Sequence, residues 1–141
     1  MQKIITNNFE ETQKLGEDFA RDLRGGEVIC LYGDLGSGKT TFVQGLARGL
    51  GIEKRIISPT FIIMRTYEIN DAKVKNFYHV DLYRIETEKD VEGLGLIELM
   101  GDPEDIVVIE WPEKIENLLP QERKDIVFKY LDEDQREIVI E

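Results

Sequence analysis

The chain has 141 residues, 41% of them hydrophobic, with 18 basic against 29 acidic side chains and a formal net charge of −11. That is enough for one domain, residues 1–141, burying about two thirds of its unfolded surface, with no room for a second catalytic domain. The acidic balance, the single cysteine and histidine, and the lack of a signal-like start or of an apolar run near the ~20 residues of a membrane span exclude direct tRNA or DNA binding, Cys/His metal sites and a membrane protein, so a cytoplasmic location is expected.

In chain order, Lys3-Ile4-Ile5-Thr6 reads as a short edge strand and Asn8, with Glu11 three residues on, as a helix N-cap. The helix presents Thr12, Leu15, Phe19, Ala20 and Leu23 on one face, with Gly16 among them for a close approach to another element, and Gly25-Gly26 ends it. Val28–Tyr32 is a continuous apolar run, the pattern of a strand buried on both faces of a parallel sheet, and Cys30 inside it reads as a small buried hydrophobe. The next eight residues, Gly33, Asp34, Leu35, Gly36, Ser37, Gly38, Lys39 and Thr40, fit G-x-x-x-x-G-K-[ST] at every fixed position. The glycines let successive backbone N–H groups turn inward into an anion-binding nest. Lys39 reaches the β- and γ-phosphates, and the Thr40 hydroxyl joins the shell of a magnesium ion, so a nucleoside triphosphate is the expected ligand. Phe42, Val43, Leu46, Ala47 and Leu50 follow at helical spacing, with Gly51 as a stop. Strand, loop and helix in that order distinguish a phosphate-binding loop from a chance glycine-rich turn.

Arg55-Ile56-Ile57 reads as a second parallel strand, which gives the strand–helix–strand order of an α/β sheet. Residues 61–69 and 74–80 read as an antiparallel hairpin joined across Asn70-Asp71-Ala72-Lys73. Thr87 with Asp90 makes a capping-box pattern for a short helix interrupted at Gly93 and Gly95. Ile106-Val107-Val108-Ile109, ending at Glu110, reads as a strand in the sheet centre. Pro112 opens a brief helix through Leu118, Pro120 closes it, and residues 126–130 with 138–140 form a terminal hairpin around Asp132-Glu133-Asp134.

Three further groups bear on chemistry. An apolar strand ending in a carboxylate has the Walker B form and would bring Glu110 to the magnesium or its water shell; an ordinary strand before an acidic turn has the same pattern. Asp81, in His79-Val80-Asp81-Leu82-Tyr83-Arg84, would hold the metal or orient the attacking water, or is a solvated turn aspartate, while His79 receives no catalytic task. In Ser58-Pro59-Thr60-Phe61 a threonine could sense the γ-phosphate as in P-loop GTPases, against a plain proline turn. Trp111 follows Glu110, so its indole is expected near the nucleotide or a docking surface, with packing as the alternative. Arg84 is the one arginine near a motif, and no compelling arginine finger is legible.

The pieces GDLGSGKTTF (33–42), SPTF (58–61), HVDLYR (79–84), LGL (94–96) and IEWPEK (109–114) together resemble the TsaE family, also called the YjeE family, of P-loop ATPases required for threonylcarbamoyladenosine modification of tRNA. The resemblance implies an α/β, P-loop NTPase-like three-layer fold with a central parallel sheet flanked by antiparallel strands and hairpins. It carries functional roles onto Lys39, Thr40, Thr41, Thr60, Asp81, Glu110 and Trp111, of which Lys39, Asp81 and Glu110 are the expected catalytic set. It implies ATP as substrate, Mg2+ as cofactor, and the TsaD and TsaB proteins as partners that alone hold the tRNA. ATP turnover would switch a docking surface near Thr60 and Asp81, with Ser58, Tyr83, Arg84 and Trp111 also facing the partner. Two other classes share the loop: a small-molecule kinase, for which an Arg-rich lid is missing, and a GTPase switch, for which N-K-x-D is missing.

Overall fold

A computed structural model of the chain describes residues 1–57, 62–70 and 73–141. Its elements are β1 (Gln2–Thr6), α1 (Phe9–Ala20), β2 (Val28–Tyr32), α2 (Lys39–Gly49), β3 (Met64–Glu68), β4 (Asn76–Asp81), a 3₁₀ segment Glu88–Leu94, α3 (Leu96–Leu99), β5 (Asp105–Glu110), a second 3₁₀ segment Pro112–Leu118, β6 (Lys124–Tyr130) and β7 (Arg136–Ile140). The strands make one sheet in the order β1-β7-β6-β2-β5-β4-β3. The inner four, β6, β2, β5 and β4, run parallel. Antiparallel pairing adds β7 and then β1 at one edge and β3 at the other.

The two apolar runs occupy the middle because a strand without polar side chains has to be covered on both faces. Ile29 and Leu31 of β2, with Ile106 and Val108 of β5, face α1 and α2, where Phe42 packs its ring against Phe19 at 5.7 Å and Phe128 at 5.4 Å. Val28, Cys30, Val107 and Ile109 point the other way, under α3 and the 3₁₀ segments. Three layers result. α1 and α2 pack backbone to backbone: a Cβ on Gly16 would collide with the Phe42 carbonyl, and one on Gly45 with the carbonyl of Gln13.

Local signals set most boundaries. Asn8 Oδ1 accepts the Glu11 N–H at 2.8 Å and caps α1. Past α2, Ile52 N–H donates to Ala47 O and Gly51 N–H to Arg48 O, both at 3.0 Å, with Gly51 at φ +84; this is a Schellman stop. The Thr87–Asp90 box is present, and Gly95 at φ +70 separates the first 3₁₀ segment from α3. The central strand and the terminal hairpin lie where the sequence places them.

Two expectations need correction. Residues 55–57 are not a strand: Ile56 is buried but Ile57 is 50% exposed, and both edges of β2 are already taken by β5 and β6. α1 ends at Ala20 rather than at Gly25-Gly26, because the N–H groups of Arg21, Asp22 and Leu23 turn to i−3 carbonyls and tighten the chain out of the helix. The β3–β4 hairpin is present but shorter than expected, closed by Ile69 N–H to Lys75 O at 2.8 Å. Its expected start at Phe61 and turn residues Asp71 and Ala72 lie outside the described residues.

Candidate functional site

The loop between β2 and α2 has left-handed backbone at Gly33, Gly36 and Gly38 (φ +149, +79 and +101). A Cβ on Gly33 would meet Phe128 O and Ser37 Oγ, each at 2.7 Å, so no side chain fits there. α2 starts at Lys39 with Gly38 as its N-cap, no side-chain cap and no acidic residue in the first turn. Its leading N–H groups are therefore left for an external anion, favoured further by the helix dipole.

Around that helix start lies a cleft of about 220 Å³ lined by Lys39, Thr40, Thr41, Asp81, Glu110, Trp111 and Arg136 together with Leu35 and two loop glycines, Gly36 and Gly38. It opens at the carboxyl ends of the parallel strands, where open α/β sheets bind ligands. Asp81 and Glu110 end adjacent strands in the same register. Asp81 Oδ1 accepts the Tyr83 N–H at 3.0 Å, which fixes the turn after β4. Glu110 Oε2 accepts the Thr40 hydroxyl at 3.3 Å and is hydrogen-bonded to His79 Nε2 at 2.6 Å. Lys39 donates to Gly33 O at 2.5 Å and lies 4.0 Å from the centroid of a Trp111 ring. Burial holds its ammonium below the usual lysine range, although Glu110, then Asp81, Glu113 and Asp34, pull the other way. Trp111 is held at φ +62, a conformation uncommon for a bulky residue, with its ring 5.2 Å from that of Tyr83.

Not every expected site residue joins the cleft. Asp34 and Leu35 are exposed on the loop, with Leu35 at its rim; Ser37 is buried, and its Oγ has no hydrogen-bond partner among the described residues. Tyr83 and Arg84 are exposed on the turn after β4, outside the cleft lining. Ser58 and Thr60 lie outside the described residues. A larger groove of about 580 Å³ between α1, α2 and residues 51–56 holds none of the motif residues that line this cleft.

Sequence reasoning missed Arg136 and, for His79, the partner rather than the buried, hydrogen-bonded role it allowed. His79 stands two residues before Asp81 on the same strand, so alternation puts both on one face, beside the Glu110 that ends the next strand. Arg136 begins β7 and belongs to no motif, yet its Nε donates to Gly36 O at 3.1 Å.

The oxygen donors suit magnesium. Among the described residues no cluster of three or more His, Cys, Asp or Glu side chains could hold a metal. One hydroxyl and two carboxylates fit an ion whose remaining ligands are phosphate and water, the usual arrangement for Mg2+.

A sheet with a parallel core and antiparallel edges, whose central strand leads through this glycine loop into an uncapped helix, is a P-loop NTPase-like fold. The family model described as "Threonylcarbamoyl adenosine biosynthesis protein TsaE" matches residues 6–138, and the chain belongs to that family. It is 46% identical over 136 residues to the tRNA threonylcarbamoyladenosine biosynthesis protein TsaE of Bacillus subtilis (strain 168), covering 96% of this chain and 82% of that one. Against the protein of the same name from Rickettsia felis it is 36% identical over 94% of this chain and 75% of the other. A crystal structure of Bacillus subtilis YdiB superposes with a TM-score of 0.77 at 38% identity, covering 99% of this chain and 83% of that one. The family places the chain in tRNA threonylcarbamoyladenosine biosynthesis. Among the described residues no helix is long and apolar enough to cross a membrane.

Proposed function

We propose that the chain binds ATP with magnesium in this cleft and hydrolyses it, slowly by itself, to support repeated threonylcarbamoyl transfer to tRNA by TsaD and TsaB. The observation that carries the reading is the convergence of Lys39, Thr40, Asp81 and Glu110 on the uncapped start of α2. The loop N–H groups bind the phosphate oxygens. Lys39 exchanges the Gly33 carbonyl for the β- and γ-phosphates, which adds counter-charge to an ammonium that burial disfavours despite the nearby carboxylates of Glu110 and Asp81. Thr40 and Glu110 hold the metal, and Asp81 holds the metal or orients the attacking water. The chemistry that magnesium held by these residues would supply is positive charge to offset the negative charge developing on the phosphates. The location that follows is the cytoplasm, where tRNA and ATP are found.

A phosphate-release assay with ATP and GTP, with and without the TsaD and TsaB pair, tests the reading. ATP turnover that is slow alone and faster with the pair is expected. Preference for GTP, or phosphate transfer to a small-molecule acceptor in place of hydrolysis, would replace it with a GTPase switch or a kinase. Lys39→Ala is expected to weaken ATP binding by about a hundredfold or more in calorimetry, since charge-assisted hydrogen bonds to the β- and γ-phosphates go with the ammonium. Unchanged affinity in the folded variant would move the nucleotide elsewhere.

A further inference from the structure

A phosphate loop binds anions only while its peptide N–H groups face inward, and a peptide turned that way sends its carbonyl outward to find another donor. For Gly36 that donor is Arg136 Nε, from a strand one hundred positions later in the chain. Packing does little to pin this glycine: among the described residues, its chain neighbours aside, no atom lies within 4 Å of where its Cβ would stand, and its φ of +79 is a conformation that glycine enters and leaves readily. The guanidinium, by contrast, is firmly held. Its Nη1 donates to the carbonyls of Asp132 at 2.6 Å, Gln135 at 2.9 Å and Glu133 at 3.4 Å, and its carbon sits 4.5 Å from the centroid of the Tyr130 ring. The aliphatic part of the same side chain is also placed against the loop, with Cγ 3.6 Å from the position a Cβ on Gly38 would take. Arg136 lines the Lys39 cleft and the adjoining cavity of about 180 Å³ that shares Gly38 and Thr41 with it.

We infer that Arg136 is a positioning residue of the phosphate site, which holds the Gly36 carbonyl outward and so keeps the loop in the shape that accepts a di- or triphosphate. The inference rests on the nucleotide reading of the cleft. Without the Nε donor the peptide after Gly36 is held only by its own N–H, which Ser37 donates to Asp34 O at 3.2 Å within the loop, so it rotates more readily to turn a carbonyl oxygen toward the anion, and more of the ordering falls to the ligand. Its contribution belongs to the ground state and to phosphate, whatever base is attached.

Calorimetry with MgADP, MgATP and magnesium tripolyphosphate on wild type, Arg136→Ala, Arg136→Lys and Lys39→Ala tests this. Arg136→Ala is expected to weaken all three ligands by about ten- to a hundredfold, in line with the loss of a charged hydrogen bond, and by similar factors. Arg136→Lys, which keeps the charge but loses the fork seated on the hairpin carbonyls, should recover only part, and it carries the test if the alanine variant does not fold. Amide hydrogen exchange at Gly36, Ser37 and Gly38 should quicken in both variants while amides of β2 and β5 stay protected, a pattern that general destabilisation would not give. Unchanged affinity in a folded variant, full recovery by lysine, or a fall in kcat at unchanged affinity overturns the inference. If Lys39→Ala loses binding while Arg136→Ala keeps it, the positioning role alone fails; if neither loses binding, the nucleotide reading fails first.

Discussion

Asp81 and Glu110 end neighbouring strands as a pair of carboxylates. Asp81→Asn and Glu110→Gln keep oxygen acceptors for the Tyr83 N–H and for Thr40 and His79. Both variants are therefore expected to fold and to bind nucleotide, while ATP hydrolysis falls by about 10²–10³, the usual effect of losing one charge-stabilising group. Wild-type turnover in both would remove them from the chemistry. Cys30 is a residue of the opposite kind: fully buried in β2, its thiol is pushed up from 9.0 to about 12, mainly by burial and then by Asp125. In the unfolded chain the thiol ionises first, so the stability linked to its neutral form is complete below pH 9 and declines as pH rises from 9 towards 12. Urea midpoints at pH 8 and pH 10.5 should differ less in Cys30→Ala than in wild type, and equal slopes would refute the link.

At the level of elements, the α1–α2 contact depends on backbone approach. Replacing Gly45 with alanine raises intrinsic helix propensity by about 1 kcal/mol, but the new methyl meets the Gln13 carbonyl, carbon and Cα. Overpacking of this kind costs about 1–3 kcal/mol, so Gly45→Ala is expected to lower the urea midpoint, and a more stable variant would show that the helices part without loss. What the sequence disclosed follows the same division between local and distant causes. β2, the phosphate loop, α2 and β5 were legible because each is written in adjacent residues: two apolar runs, a glycine motif, a helical period and a terminal carboxylate. Arg55-Ile56-Ile57 misled because two apolar residues satisfy a strand pattern while only Ile56 reaches the core. Arg136 and the His79–Glu110 contact stayed hidden because sheet order and register create their partners, and a single sequence does not reveal either. Lys39, Thr40, Thr41, Asp81, Glu110 and Trp111, singled out from motifs far apart in the chain, line one cleft.

On the scale of the whole molecule, charge and size make separate predictions. With a net charge of −11 and no run of more than two basic residues in the sequence, the isolated chain is expected to bind tRNA negligibly at ~0.15 M salt. The cleft is small and open, so a stabilising charge from a partner, worth about 10³ or more in rate where partners supply one, should show as accelerated ATP turnover when TsaD and TsaB are added. Rapid turnover by the chain alone with no response to the pair, or tight tRNA binding without it, would indicate a free-standing enzyme. The sheet order has a further consequence, for synthesis of the chain. β2 pairs Val28 with Val107 on one side and Ile29 with Lys124 on the other, so both its neighbours are synthesised long after β2 itself. Pairings this distant in sequence are slow to form, and unpaired strand edges invite association meanwhile. A nascent chain thus carries its phosphate-loop strand without flanking strands until the ribosome has passed β5 and β6, and a product stalled before Lys124 presents a bare β2 edge to other chains.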